Sequence, residues 1–197
     1  MKSVQITASL VTAGLPNIFL PISELADLDS SITPEQLAAP NTTLTNHPTL
    51  PRLLERIRTS FAETYSIPLS LASPKIVLVG PIPQEGYQTS SGTSIMPIEA
   101  DLLVRAVSSG DFHATIPGTT LGALNIALGH KGTTVHALVS PDKAVQDGIV
   151  EVRAGHAAGV ADAKVRFEEG KPKSVVMIRT AREIMRGEVL VDERVFQ

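Results

Sequence analysis

Apolar and polar positions follow two rhythms along this chain, and the changes of rhythm mark its elements. Leu50, Leu53, Leu54, Ile57, Phe61 and Tyr65 recur three and four residues apart, which places them on one face of a helix over residues 50–65. Arg52, Glu55, Arg56, Arg58 and Glu63 fall elsewhere on it. Thr49 stands at its N-cap position, and Pro68 lies just beyond its end. That apolar face is core packing. Lys75–Gly80 is a different signal, a short unbroken apolar run between Pro74 and Pro81, and it reads as a buried strand. Residues 3–11 alternate loosely and read as a strand, 13–17 as a turn and 18–22 as a second strand. The stretch 32–49, rich in Thr, Pro and Asn, reads as surface loop with a helical turn at 34–39.

Further on, residues 81–92 form a loop and 97–108 a strand that ends in a Ser108-Ser109-Gly110-Asp111 turn. A helix of small residues covers 120–128, apolar all around and therefore buried. The runs 134–139, 149–154, 161–168, 174–179 and 188–191 have strand character, punctuated by Gly148, Gly155, Gly159, Gly170 and Gly187. Many short strands around one buried helix predict an α+β fold: a mixed or antiparallel sheet curled about that helix, not a βαβ parallel sheet. The chain shows no internal repeat. It reads as one domain over residues 1–197, with a loop and helix insertion at about 32–70.

Composition narrows the function classes. The net charge is −3 and no basic run occurs, so nothing points to nucleic acid or to an acidic membrane surface. No stretch approaches the roughly 20 apolar residues of a membrane helix. With no targeting signal recognised, a cytoplasmic protein is expected. There is no cysteine, which removes disulfides, thiolate metal sites and a thiol acid or base. Five scattered histidines without Asp or Glu at ligand spacing make no metal site. No nucleotide-binding glycine loop is present, so no cofactor is expected.

The stretch with chemical promise is Gly118-Thr119-Thr120, just after Pro117, where the small-residue helix begins. Such a start offers free backbone N–H groups and two hydroxyls at the positive end of the helix dipole, suited to a carboxylate or an enolate. Ordinary capping explains the same residues equally well.

Several segments carry a resemblance. The stretch Val11-Thr12-Ala13-Gly14-Leu15-Pro16-Asn17-Ile18-Phe19 is similar to the Gly-Asn-Pro segment that opens the second half of diaminopimelate-epimerase-like proteins. Residues 74–79, then Thr89-Ser90-Ser91-Gly92, then Asp101–Ala106 with Gly110 and His113, resemble the PrpF branch of that superfamily. Gly155-His156-Ala157-Ala158-Gly159 looks like that branch's Gly-His-Pro-Ser-Gly turn, and residues 175–187 like its closing strand pair. The order is the family's, and the match covers essentially the whole chain. The resemblance implies a half that wraps a sheet around a central helix whose N-terminus faces a shared cleft. It also implies tautomerisation of unsaturated carboxylates. Three departures stand out. The half that carries the family's thiol and, in this branch, its lysine is missing; Leu15 stands where the family has Asn; and Ala157-Ala158 replace Pro-Ser.

On this reading Gly14, Leu15, Asn17, Ser90, Ser91, Gly92, Gly118, Thr119 and Thr120 are the candidate substrate contacts. His113 and His156 are the weak candidates for proton transfer, with surface or structural histidine as the rival reading. Lys75 is expected to be solvated at its strand edge, and Arg179, Arg182 and Arg186 to form an exposed charged face. Two classes of function follow. One is a cofactor-independent isomerase or tautomerase acting on a small-molecule unsaturated carbonyl or carboxylate by double-bond migration, enolate chemistry or cyclisation. It would be assembled as a homodimer or with a complementary half-chain. The other is a half that binds a ligand or partner without turnover, or one half of a split enzyme.

Overall fold

The computed structural model describes residues 5–108, 110–139, 148–178, 181–188, 190–192 and 194. In chain order, β1 (Ser9–Ala13) turns tightly at Gly14 into β2 (Leu15–Pro21). α1 (Ile22–Ala26), a 3-10 turn (Pro34–Ala38), α2 (Asn41–Thr45) and α3 (Leu50–Thr64) follow. Next come β3 (Lys75–Gly80), the short ribbon of β4 (Tyr87–Gln88) and β5 (Ser94–Ile95), β6 (Leu102–Ser108) and β7 (Asp111–Phe112). α4 (Gly118–Gly129) and α5 (Thr134–Leu138) lead to β8 (Ile149–His156), β9 (Gly159–Glu168) and β10 (Lys171–Met177).

Among the described residues the main sheet runs β1-β2-β3-β6-β8-β9-β10, with β7 on β6. β2–β3 and β6–β8 are parallel, and every other neighbouring pair is antiparallel. The sheet is therefore mixed, and each parallel pair is joined by a helical connection, as parallel strands require. α4 packs against β1 and β2 at one end of the strand order and against β8, β9 and β10 at the other. Only a sheet curled around the helix allows this, so the expected wrap is present.

The period of two along each strand feeds two cores. In β3, Ile76 and Leu78 face an outer core shared with α1, α2, α3 and the 3-10 turn, whereas Val77 and Val79 face an inner core built around α4. Both faces are covered, which is why the Lys75–Gly80 run is apolar without alternation. α4 is packed on nearly every side: Leu124, Ala123, Ala127 and Leu128 have no exposure. Its small residues let the sheet close tightly about it, and burying each leucine contributes about 2 kcal/mol.

Several expectations need correction. Residues 134–139 read as a strand but form α5. The Thr133 hydroxyl caps it by accepting from the His136 N–H at 3.1 Å, and the Thr134 hydroxyl donates to the Phe19 carbonyl at 3.1 Å. Capping and anchoring override the β preference of Thr and Val. α1 and α2 were not expected. Tyr65, just past the end of α3, is 58% exposed, while Arg58 on α3 is buried. Arg58 pairs with Glu55 at 2.7 Å and donates to the carbonyls of Ser70, Ser73 and Pro74. Thr49 does not cap α3 with its side chain; the His47 ring accepts from the Leu50 N–H instead. β1 begins at Ser9 and β6 at Leu102, both later than expected, and residues 188, 190 and 191 form no strand. Met1–Val4, Ser109 and Arg179 fall outside the described residues.

Candidate functional site

α4 starts on Pro117, whose fixed φ of −57° suits a helix entry and whose carbonyl accepts the first helical bond, from the Leu121 N–H at 2.9 Å. The N–H groups of Gly118, Thr119 and Thr120 precede that bond, and no side chain caps them. They form the positive end of the helix.

Two segments border this end directly, and two more are linked to its approach by hydrogen bonds. The first is the β1–β2 turn. Gly14 has φ of +88°, a left-handed conformation that favours glycine, and a Cβ there would stand 3.4 Å from the Thr119 methyl carbon. Leu15 is half-buried. Asn17 is fully buried and donates to the Leu15 carbonyl at 2.7 Å. The Thr120 hydroxyl donates to the Asn17 side-chain oxygen, also at 2.7 Å. The side chains of Asn17 and Thr120 thus hold each other, and Thr119 is the hydroxyl left near the surface.

The second segment is β10. A Cβ on Gly122 would lie 3.6 Å from Ala13 of β1 and 3.7 Å from Val175 of β10, so the two edges of the sheet meet over α4 at this glycine. A depression of about 380 Å³ follows this seam, lined among others by Ala13, Gly118, Thr119, Gly122, Ile126 and Val175. A second depression, about 270 Å³, shares Gly118 and Met177 and reaches Val160 and Asp162. A larger cleft of about 680 Å³ lies over α3, between Ile6, Leu28, Leu53 and Phe61. It is remote from the start of α4 and gathers none of the candidate residues.

The third and fourth segments are joined by hydrogen bonds. Exposed Ser90 donates its N–H to the Ala157 carbonyl at 2.7 Å, and the Ala158 N–H donates to the Ala114 carbonyl at 3.0 Å. Loop 89–92, the β8–β9 turn and the approach to α4 therefore sit side by side. Ser91 and Gly92 are exposed at the loop tip. His156 is 7% exposed. Its Nδ1 lies 3.2 Å from the Ala114 carbonyl and 3.1 Å from the Ala158 N–H. Burial pushes this imidazole below the usual histidine range, the Ala114 carbonyl opposes that, and Arg105 adds to it.

His113 precedes α4 by a few residues. Its Nε2 lies 2.7 Å from the Ser108 hydroxyl. Burial is the main cause that pushes it below its ordinary range, the charge of Lys75 adds, and Asp111 opposes. Lys75 is only 6% exposed, against the expectation of a solvated strand edge. Its ammonium donates to the Ala72 carbonyl at 3.0 Å, and burial lowers its pKa. Arg58 grips the same loop from α3, so loop 70–74 is held by a cation on each side. Arg182 and Arg186 are exposed as expected. No group of three His, Asp or Glu side chains able to hold a metal occurs among the described residues. Nor is any helix among them long and apolar enough to cross a membrane.

Sequence reading passed over Tyr87 and Arg105. The signal for the second was available: one cation in the middle of the apolar run of β6.

Comparison with known proteins agrees with this architecture. The family described as PrpF protein matches residues 1–192. A 2-methyl-aconitate isomerase of Shewanella oneidensis is 31% identical over 195 residues, covering 93% of this chain and 45% of that protein. A 3-methylitaconate isomerase of Eubacterium barkeri is 33% identical over 124 residues, 63% of this chain and 31% of that protein. The crystal structure of a methylitaconate-delta-isomerase superposes with a TM-score of 0.72 at 27% identity, over 93% of this chain and 46% of that one. The chain spans about half the length of the curated relatives it matches.

Proposed function

The chain belongs to the PrpF family, and on that premise we propose that it supplies one wall of a cofactor-independent isomerase site for a small unsaturated carboxylate. The observation that carries this reading is the first turn of α4. Its three N–H groups are uncapped, and Gly118 and Thr119 line the depressions between the β1–β2 turn and β10. A base removes a proton from a carbon conjugated with the carboxylate. The charge spreads into an enolate whose oxygens face Gly118, Thr119 and Thr120. A proton then returns at another carbon, and the double bond shifts. One C–H bond breaks and one forms, with no net oxidation. Fixed donors aimed at such an oxyanion contribute several kcal/mol. The proton carriers this chain offers are His156 and His113, and loop 89–92 supplies further donors through Ser90, Ser91 and Gly92. Ring closure through the same enolate is a variant of this chemistry. The protein would work in the cytoplasm and would complete its cleft as a homodimer or with a complementary half-chain.

A second reading is a half that binds ligand or partner without turnover, or one half of a split enzyme. It is favoured by the apolar edge of β10, where Val176 is 60% exposed. One experiment separates the two. The purified chain, dialysed against a chelator, is incubated with 2-methylaconitate or 3-methylitaconate in deuterated water and followed by proton NMR. Turnover with deuterium entering the product supports the proton shift. Tight binding without turnover supports the second reading, and activity restored only by a metal or nucleotide overturns the cofactor-free mechanism.

A further inference from the structure

Arg105 is a buried charge that the proposed chemistry leaves unused. It sits in mid-strand on β6 with 1% exposure. One guanidinium nitrogen donates to the Val104 carbonyl at 3.2 Å, and Nε finds no acceptor. No described carboxylate bears on it; burial pulls its pKa down to about 10, opposed by the nearby Tyr87 hydroxyl. A guanidinium removed from water without an anion is among the costlier groups to bury, and the fold keeps it all the same.

Its surroundings show what it touches. The guanidinium carbon lies 5.8 Å from the centre of the Tyr87 ring, a cation–π stack. The Tyr87 hydroxyl lies 2.7 Å from the Gly159 carbonyl and 3.2 Å from that of His156, and donates to both. These carbonyls are the two ends of the β8–β9 turn. On its far side the same turn is bonded to Ala114, on the approach to α4.

We propose that Arg105 is a positioning residue for the candidate site: stacked on Tyr87, it braces the β8–β9 turn against the approach to α4 and sets a fixed cation behind the His156 imidazole. The inference rests on the reading of His156 as a proton carrier. The cation polarises the phenol, so that its hydrogen bonds to the turn are held more firmly. It also adds to burial in disfavouring the charged imidazolium. With the proton on Nδ1, His156 donates to the Ala114 carbonyl, the Ala158 N–H turns to that same carbonyl at 3.0 Å, and Nε2 is left as the proton acceptor. The ionisable groups involved are Arg105 from β6 and Tyr87 from β4, with Glu99 bearing on the Tyr87 phenol.

The test follows the His156 ring signal by NMR across acid and neutral pH in the wild type, R105K, R105M and Y87F, with the signal assigned by its loss in H156N. R105M is expected to titrate higher than the wild type, and R105K to stay close to it. In Y87F the Ala158 amide is expected to exchange with solvent faster. Should R105M not fold, R105Q carries the same comparison. Equal His156 titration in the neutral and charged variants, or wild-type exchange at Ala158 in Y87F, overturns the proposal. Neither measurement needs turnover, so an inactive preparation that passes both would count against turnover by this chain alone and leave the brace standing. In an active one, R105M is expected to lower kcat more than it raises KM.

Discussion

The Thr120 hydroxyl donates to the Asn17 side-chain oxygen at 2.7 Å, and neither side chain has any exposure. This contact ties the first turn of α4 to β2 across the mouth of the curled sheet. Thr120→Val removes the donor and leaves a buried carboxamide oxygen without one. It is expected to cost about 1–3 kcal/mol in urea unfolding. A loss below about 0.5 kcal/mol, the size of a neutral surface change, would show that the clasp does not hold the mouth.

Thr119, its neighbour, is half-buried and faces the seam. Thr119→Val should leave stability nearly unchanged while weakening the binding of a tricarboxylate such as citrate by about 1 kcal/mol. Calorimetry giving equal affinities for variant and wild type would remove Thr119 from the site.

Two glycines of α4 should respond in opposite ways to the same change. A Cβ on Gly129 would stand 2.4 Å from the Phe167 ring, which itself lies edge-on to His130 at 5.5 Å. Gly129→Ala must displace that ring and is expected to cost about 1–3 kcal/mol. At Gly122 the nearest atoms are at ordinary contact distance. Gly122→Ala should be neutral or gain up to about 1 kcal/mol from helix propensity. Equal effects at the two sites would contradict this packing.

Burial holds His113 and His156 below the ordinary histidine value of about 6.5. Just below that value the unfolded chain binds protons that the folded chain does not. Stability therefore falls as pH drops from about 6.5 through the two folded values, and levels off below them. Replacing both residues with Asn should flatten this part of the profile. A double variant as pH-sensitive as the wild type in that window would assign the effect to other groups.

β10 leaves Val175 and Val176 partly or largely exposed beside the seam. Light scattering of the purified chain is expected to report a dimer at micromolar concentration, and Val176→Glu to weaken it. A wild-type chain that remains monomeric would count against pairing between copies and favour a complementary half.

The sequence by itself determined the elements whose period repeats locally. The unbroken run Lys75–Gly80 and the spacing of Leu50, Leu54 and Ile57 were legible because covering one face or two writes itself into neighbouring residues. The all-apolar helix 120–128 was legible for the same reason. It also announced a helix wrapped by strands, and the ordered motifs placed the chain beside the PrpF family. Tertiary structure alone decided which polar groups lie inside and what they do there. Asn17 and Thr120 meet from 103 positions apart. Lys75 is drawn under its own loop, Arg58 is buried against that loop while Tyr65 stays exposed, and α5 forms where a β-rich run meets a Thr133 cap and an anchor on β2. Arg105 was passed over although it is a cation within an apolar strand, and its stack on Tyr87 and its reach to the β8–β9 turn depend on the curl of the sheet. A buried polar group is fixed by partners distant in the chain, and local periodicity carries no record of them.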